Sequence, residues 1–153
     1  IKEFEKLEWQ SKIDKMNTAY RIRAVILYHY ANTHSALVIG TSNKTEIMLG
    51  YFTKYGDGAV DIEVIGSLFK TDELELARYL KIPEKIVQKT PTAELYHGQT
   101  DEEELGASYR EIDSILSKIE KKQKLPKSAL VKKILKRIKG NEHKRNVPFL
   151  VKL

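Results

Sequence analysis

A short apolar run that ends in glycine, Ala36-Leu37-Val38-Ile39-Gly40, constrains the fold more than any other feature of the chain. Continuous apolar runs of this length are typical of strands buried inside a parallel sheet. The residues that follow, 41–70, are rich in hydroxyl groups, carboxylates, lysines and glycines. Because open α/β sheets bind ligands at the carboxyl ends of their strands, this order predicts an α/β fold with a binding site directly after Gly40.

Size and composition limit the class of protein. A chain of 153 residues, 31% charged and 41% hydrophobic, fits one globular domain, which we expect to cover residues 1–153. The absence of cysteine excludes disulfides and thiolate metal sites. No apolar stretch approaches the roughly 20 residues that a membrane-spanning helix needs, and no signal peptide is visible. We therefore expect a cytoplasmic protein.

Most of the remaining pattern is helical, with turn-forming residues between the segments. Residues 60–65 alternate apolar and acidic side chains, which favours a short strand. The segment 90–106, which contains Pro91 and Gly98, is expected to be a long loop, and loops of this length are usually functional or disordered. Helices are predicted over 18–32, from Ser42 or Asn43 to about Phe52, from Thr71 or Asp72 with Glu75 completing a capping box, after Pro83, over 108–122 and over 128–139, where Gly140 ends the helix.

Positive charge is concentrated in residues 118–145, which contain twelve Lys or Arg against two Glu, a net charge of +10 in a chain whose total is +6. Such a run is either the solvated side of helices that bury an apolar stripe or a surface that binds phosphates or nucleic acid. A nucleic-acid-binding protein is therefore one alternative function. It predicts binding that weakens steeply as salt is added.

Two groups of polar residues after the strand could carry chemistry. Thr41 and Glu46 could bond a nucleotide and a divalent cation, although a turn threonine and a surface glutamate have the same sequence pattern. Lys54, Asp57 and Asp61 flank the next turn. A lysine beside a phosphate and an aspartate beside a ribose hydroxyl would be suitable chemistry, yet charged turns are also common on protein surfaces.

Lys70 and the histidines have weaker signals. Lys70 precedes a predicted helix, where it could neutralise a phosphate or simply face solvent. The four histidines, His29, His34, His97 and His143, show no ligand spacing, so a zinc site is not expected.

The joint order of these residues carries more information than any one of them. Asn17 and Arg21 come first, and six motifs follow: Gly-Thr-Ser-Asn-Lys-Thr-Glu from Gly40, Gly-Tyr-Phe-Thr-Lys-Tyr-Gly-Asp-Gly-Ala-Val-Asp from Gly50, Leu-Phe-Lys-Thr from Leu68, Lys-Thr-Pro-Thr-Ala-Glu-Leu from Lys89, Gly-Gln-Thr-Asp-Glu-Glu-Glu-Leu-Gly from Gly98 and Glu-His-Lys-Arg from Glu142. The series resembles the ammonia-dependent NAD synthetases, members of the ATP-pyrophosphatase group. The likeness covers about residues 14–148.

The resemblance implies a fold. It is the adenine-nucleotide alpha-hydrolase-like (Rossmann-like) fold, a parallel sheet with flanking helices, of which this chain would hold the helix-rich C-terminal part. The N-terminal half would be absent. That half carries the family's Ser-Gly-Gly-x-Asp-Ser loop for pyrophosphate, and this chain has no two adjacent glycines.

The implied activity is the ATP-dependent amidation of deamido-NAD to NAD by ammonia. It runs through a NAD-adenylate intermediate, releases AMP and pyrophosphate, and uses Mg²⁺ in a homodimer to which the apolar helix 20–30 would contribute. The 153 residues alone are expected to be inactive, because half of the nucleotide site would be missing. A non-catalytic, dinucleotide-binding remnant is the second alternative function.

The resemblance also implies roles for individual residues. Asp57 would be catalytic, near the ammonia site, and Glu46 would ligate magnesium. Segment 90–106 would cover the bound substrates. ATP would contact Thr41, Lys70 and Thr92, and deamido-NAD would contact Asn17, Arg21, Lys54, Asp61, His143 and Lys144. The side chains that follow the strand and its turn are expected to face one common pocket, namely Thr41, Glu46, Lys54 and Asp61.

Overall fold

The computed structural model describes residues 3, 6–92, 98, 100–148 and 150–151. The chain divides into two compact units. Unit 1 draws on Ile1–Gly40 and Thr53–Ile62, and unit 2 draws on Thr41–Phe52 and Glu63–Leu153. The chain therefore enters each unit twice.

Unit 1 is built on one long helix, α1 (Lys12–His34). Ser11 starts it: its hydroxyl accepts the Asp14 N–H at 3.2 Å, and the Asp14 carboxylate accepts the Ser11 N–H at 3.0 Å, a capping box that satisfies two backbone donors. Ser35 ends the helix in the left-handed conformation, at φ 50°. The helix predicted over 18–32 is confirmed, and it extends further at both ends.

Two very short strands, β1 (Ile39–Gly40) and β2 (Ile62–Glu63), form a two-stranded sheet. The carbonyl of Val38, just before β1, accepts the N–H groups of Asp61 and Ile62 at 2.9 and 3.4 Å. The strands predicted within 36–40 and 60–65 are therefore present, although each is only two residues long.

The expectation that the first strand is buried on both faces is wrong. Leu37 and Ile39 are 62% and 52% exposed, whereas Val38 is buried. Successive side chains of a strand point to opposite faces, and in the described part of the chain only one of these faces is covered.

Unit 2 consists mainly of short helices. Asn43 caps the first of them by accepting the Glu46 N–H at 2.9 Å, and Pro83 precedes the third, as the sequence predicts. The helices are α2 (Lys44–Leu49), α3 (Lys70–Tyr79), α4 (Glu84–Val87), α5 (Asp101–Leu105), α6 (Tyr109–Glu120), α7 (Ala129–Gly140) and α8 (Glu142–Arg145). Neither α1 nor any of these described helices is long and apolar enough to cross a membrane.

Three predicted helix ends are wrong. Helix α2, predicted to run to about Phe52, ends at Leu49, because Gly50 caps it in the left-handed conformation at φ 63°. Helix α3 begins at Lys70, because Phe69 has the extended backbone of a cap and its N–H donates to Asp72 at 3.2 Å. The carboxylate that binds the cap residue is thus that of Asp72 and not that of Glu75, and the capping box is incomplete because Phe69 has no side-chain acceptor. Gly140 is still helical at the end of α7, and the cap is Asn141.

The prediction that 90–106 is a loop is also partly wrong, because this segment contains α5. The Thr100 hydroxyl accepts the Glu103 N–H at 3.3 Å and so starts a helix that the acidic residues after it favour. Residues 93–97 and 99 of that segment, among them His97, lie outside the described residues.

The core of unit 2 lies between α6, α7 and the end of α2. Helix α6 buries one face, with apolar side chains at helical spacing. The buried cluster contains Leu49, Leu105, Tyr109, Ile112, Ile115, Leu116, Val131 and Ile134. Because α2 is anchored by Leu49, which is 1% exposed, this core fixes the helix whose first turn carries Glu46.

Candidate active site

A pocket of about 260 Å³ lies at the first turns of α2 and α3 in unit 2. Its charged lining comes from Glu46, Lys70, Glu73, Lys89 and Asp101, and most of its apolar lining comes from α3 and α4. Thr92 is also part of the wall. The pocket therefore contains the predicted metal ligand and two of the three predicted ATP contacts.

Glu46 is held at this pocket by the cap of α2. One oxygen of its carboxylate, Oε2, accepts the Asn43 N–H at 3.0 Å. Burial raises the pKa of Glu46 from 4.5 to about 7; the hydrogen bond from Asn43 and the charge of Lys70 oppose this rise, and the charges of Glu73 and Asp101 add to it. A carboxyl with this pKa is a candidate for function.

Lys70 is held by an acidic partner and by its backbone. Its Nζ lies 3.1 and 3.2 Å from the two carboxylate oxygens of Glu73, and its side chain is 14% exposed. The same Nζ lies 5.9 Å from the ring centre of Tyr109. The ammonium therefore has a defined position at the pocket.

A buried network beneath Lys70 fixes the start of α3. The Lys70 N–H donates to the Thr45 hydroxyl at 3.0 Å, and this hydroxyl donates to Asp113 at 2.5 Å. The second oxygen of Asp113 accepts the Thr71 N–H at 2.9 Å. Thr45 is 0% and Asp113 5% exposed, so one carboxylate from α6 ties α2 to α3 in a water-poor environment.

Asp101 forms a second buried polar group at the pocket. It is 5% exposed and accepts hydrogen bonds from the hydroxyl of Tyr109 at 2.9 Å and from that of Tyr51 at 3.2 Å. The Tyr51 hydroxyl also lies 2.9 Å from a carboxylate oxygen of Glu104. Burial, followed by the charge of Asp101, raises the pKa of both phenols, so they remain protonated donors at any ordinary pH.

In unit 1, α1 and the turn that begins at Thr53 bring several predicted deamido-NAD contacts together. The Thr53 hydroxyl donates to Asn17 Oδ1 at 2.7 Å, and the Arg21 Nε–H donates to the Lys54 carbonyl at 3.2 Å. A Cβ added at Gly56 would lie 2.8 Å from the Tyr20 Cβ. The turn can therefore approach α1 this closely only with glycine at position 56.

The two aspartates of this turn have structural partners. Asp57 accepts the Thr53 N–H at 2.9 Å, which closes the turn. Asp61 accepts the Val38 N–H at 2.7 Å and the Tyr28 hydroxyl at 3.3 Å, so it also orients the chain just before β1. Any contact of either carboxylate with substrate would come in addition to these hydrogen bonds.

The remaining predicted residues lie in unit 2 but outside the pocket. Thr41 is exposed after β1, and His143 is exposed on α8. The Lys144 ammonium donates to the carbonyls of Gly50 and Phe52 at 2.9 and 2.8 Å, which fixes the chain after α2.

The four residues that are expected to face one common pocket are thus divided between the two units. Thr41 and Glu46 belong to unit 2, and Lys54 and Asp61 belong to unit 1. That all four face one common pocket stays a prediction.

Sequence reasoning missed three buried polar residues that organise the pocket: Asn43, Asp101 and Asp113. A signal existed for Asp113, because it interrupts the apolar face of α6, and a carboxylate on such a face must have buried partners. Asn43 was considered only as a cap. Asp101 lies in the segment 90–106 that is predicted as a loop, and the acidic run Asp101–Glu104 has the pattern of a helix start or of residues near a metal.

The pocket also fits a magnesium ion, although no group of three or more His, Asp or Glu suited to a metal comes together in the described ranges. Mg²⁺ is usually held by one or two carboxylates together with substrate phosphates and water. The raised pKa of the buried Glu46, with the charges of Glu73 and Asp101 nearby, marks a carboxylate that a divalent cation would stabilise in its charged form. The donor chemistry therefore fits the ion.

The comparisons with known proteins agree on one family. A sequence model of the NAD synthase family matches residues 2–148. The "NH(3)-dependent NAD(+) synthetase" of Thermoplasma acidophilum is 49% identical over 136 residues, which are 89% of this chain and 56% of that protein. The protein of the same name from Archaeoglobus fulgidus is 47% identical over 144 residues, 94% of this chain and 58% of its own length. The chain thus spans little more than half the length of these relatives.

Solved structures give the same answer for the fold. The NMN synthetase of Francisella tularensis has a TM-score of 0.84 and 38% identity, and the match covers 95% of this chain and 59% of that one. The NH3-dependent NAD synthetase of Campylobacter jejuni has a TM-score of 0.78 and 32% identity, with 97% and 59% covered. The α/β fold class predicted from the sequence is confirmed by this likeness, and with it the resemblance itself: the chain belongs to the NAD synthase family.

Proposed function

We propose that this chain is the C-terminal portion of an ammonia-dependent NAD synthetase, which converts deamido-NAD to NAD with ATP. The observation that carries the proposal is the family match over residues 2–148, because it includes every charged residue of the pocket at α2 and α3. On this proposal the enzyme is cytoplasmic and homodimeric. Exposed apolar residues of α1, such as Val25, Leu27 and Tyr30, would lie in the dimer interface.

The proposed reaction has two steps. A carboxylate oxygen of the nicotinate attacks the α-phosphorus of ATP, and pyrophosphate leaves with the electron pair of the broken P–O bond. Ammonia then attacks the carbonyl carbon of this NAD-adenylate and loses a proton. AMP leaves, and the amide of NAD remains.

Residues of unit 2 would act on the phosphates. The Lys70 ammonium and the Thr92 hydroxyl would bind the departing pyrophosphate, with Thr41 contributing a further contact to ATP. Glu46 would hold Mg²⁺. When bound, the ion neutralises negative charge that develops on the leaving group.

Residues of unit 1 and of α8 would bind deamido-NAD. The Arg21 guanidinium suits the oxygens of its pyrophosphate, because it has five N–H donors in a planar fork and Nε–H already anchors it to the Lys54 carbonyl. Asn17, Lys54 and Asp61 would also contact this substrate, as would His143 and Lys144. Asp57 would lie near the ammonia site.

Calorimetric titration of the chain tests the proposal. With Mg²⁺ and ATP present, we expect deamido-NAD to bind, and Arg21→Ala to weaken that binding by about tenfold or more, since one charged contact to phosphate would be lost. The matched control is Arg78→Ala on the exposed side of α3, which should bind as the wild type does.

A parallel titration with nicotinate mononucleotide tests the substrate, because a protein named NMN synthetase is among the structures similar to this chain. Tighter binding of the mononucleotide would replace deamido-NAD in the proposal. Absence of binding by both nucleotides and by Mg²⁺–ATP would refute the proposed function.

A further inference from the structure

Asn43 is a fully buried residue whose polar groups contact two glutamates of the pocket, Glu46 and Glu73. It is 0% exposed. Its Oδ1 accepts the backbone N–H of Glu46 at 2.9 Å, and its backbone N–H donates to Glu46 Oε2 at 3.0 Å. Its Nδ2 donates in the other direction, to Glu73 Oε2 at 2.8 Å. One amide therefore contacts the glutamate of α2 and the glutamate of α3.

Glu73 passes this constraint on to Lys70. Both oxygens of the Glu73 carboxylate lie within 3.1 and 3.2 Å of the Lys70 Nζ. The Asn43 side-chain amide is thus linked through Glu73 to the Lys70 ammonium, while the Asn43 backbone N–H binds the Glu46 carboxylate. Glu46 and Lys70 both line the pocket.

Capping α2 does not by itself require an amide at this position. Aspartate caps helices about as well as asparagine, because the cap needs only an oxygen that accepts. The amide of asparagine can accept from α2 on one side and donate to a carboxylate on the other, whereas the carboxylate of aspartate can only accept. A carboxylate at position 43 would face Glu73 as a like charge in a buried place, where such repulsion is strong.

We propose that Asn43 is a positioning residue for phosphate binding. Through Glu73 it fixes the Lys70 ammonium, and at the cap of α2 it fixes the Glu46 carboxylate, so that both lie on one wall of the pocket. That wall is a site for a pyrophosphate group with its divalent cation. The inference rests on the proposed function, because it takes the pocket to be the site of the ATP phosphates. It adds a residue that contacts neither phosphate nor metal itself.

Two double variants separate positioning from capping. Asn43→Asp keeps the cap but loses the donor to Glu73. In the exchange variant, Asn43→Asp/Glu73→Gln, the amide and the carboxylate trade places, so the hydrogen bond can form again. The control variant Asn43→Asp/Glu75→Gln has the same net charge as the exchange variant, but the exposed Glu75 cannot restore the contact.

The first measurement is calorimetric titration of the 153-residue chain with Mg²⁺–pyrophosphate. We expect Asn43→Asp to bind about tenfold more weakly than the wild type, the exchange variant to recover most of that loss, and the control variant to recover little of it. Binding of Asn43→Asp within twofold of the wild type would overturn the proposal. Equal recovery in the exchange and control variants would overturn it as well, since net charge alone would then explain the effect.

The second measurement needs no ligand. We expect Asn43→Asp to lower the midpoint of thermal unfolding by about 3 °C or more, and the exchange variant alone to restore it. If the wild type does not bind Mg²⁺–pyrophosphate, the proposed phosphate site fails. A restored unfolding midpoint in the exchange variant would then still support the positioning of Lys70 by Asn43. A midpoint that is not restored would overturn this positioning as well.

Discussion

Glu46 is a partly buried residue whose carboxyl has a pKa near neutral pH. Its carboxyl is held beneath the cap of α2, and burial raises its pKa to about 7. The cost of burying a charge is reduced by the nearby Lys70 and increased by Glu73 and Asp101. In the ligand-free chain, part of the population therefore carries a protonated Glu46 at neutral pH.

This pKa predicts a pH dependence of stability. The folded chain binds the Glu46 proton more tightly than the unfolded chain, whose pKa is near 4.5, so this contribution is complete below about pH 4.5 and is lost as the pH rises through 7. Urea unfolding at pH 5 and pH 8 should show a loss on the order of 3 kcal/mol from this group. Glu46→Gln should remove that part of the loss. Glu75→Gln, an exposed change on α3, should retain it, and equal curves for wild type and Glu46→Gln would contradict the assignment.

At the scale of elements, the approach of the turn at Thr53 to α1 depends on one glycine. A Cβ at position 56 would lie 2.8 Å from the Cβ of Tyr20 and 2.9 Å from the Cγ2 of Thr53. The Tyr20 Cβ is fixed to the backbone of α1, and the Thr53 methyl belongs to a side chain whose hydroxyl is bonded to Asn17. The hydrogen bonds from Thr53 to Asn17 and from Arg21 to Lys54 depend on this approach.

Gly56→Ala should therefore separate the turn from α1. We expect a loss of about 1–3 kcal/mol in the free energy of unfolding, together with faster hydrogen exchange at the amides of residues 56–59. The matched control is Gly140→Ala, because no atom lies within 4 Å of an added Cβ in α7 and alanine favours a helix. That variant should be unchanged or more stable by up to about 1 kcal/mol. An unaltered exchange pattern in Gly56→Ala would show that the turn tolerates a side chain.

At the scale of the whole molecule, the chain carries the proposed binding residues in two units, and its match covers 56% of the Thermoplasma acidophilum relative. Its sequence has no adjacent glycines, so the Ser-Gly-Gly-x-Asp-Ser motif for pyrophosphate does not occur in it. Incubation of the 153-residue chain with ATP, Mg²⁺, ammonia and deamido-NAD should therefore form no NAD above the background without protein. Chromatography of the products measures this. Formation of NAD by the chain alone would mean that its own residues suffice for both steps.

The sequence by itself determined the longer helices and the family. Helical spacing was enough to predict α6 and α7, because each helix repeats its apolar contacts within a few residues of the chain. The ordered motifs from Gly40 to Glu142 were enough for the family, since their spacing is written directly in the chain. They also supplied Glu46, Lys70 and Thr92, which line the pocket.

Only the tertiary structure decided which polar groups are buried together. Asp113 lies 68 positions from Thr45 in sequence, and Asn43 lies 30 positions from Glu73, so no local pattern relates the members of either pair. Their burial follows from the packing of α2, α3 and α6, which removes water and forces each polar atom to find a partner. The same packing raised the pKa of Glu46.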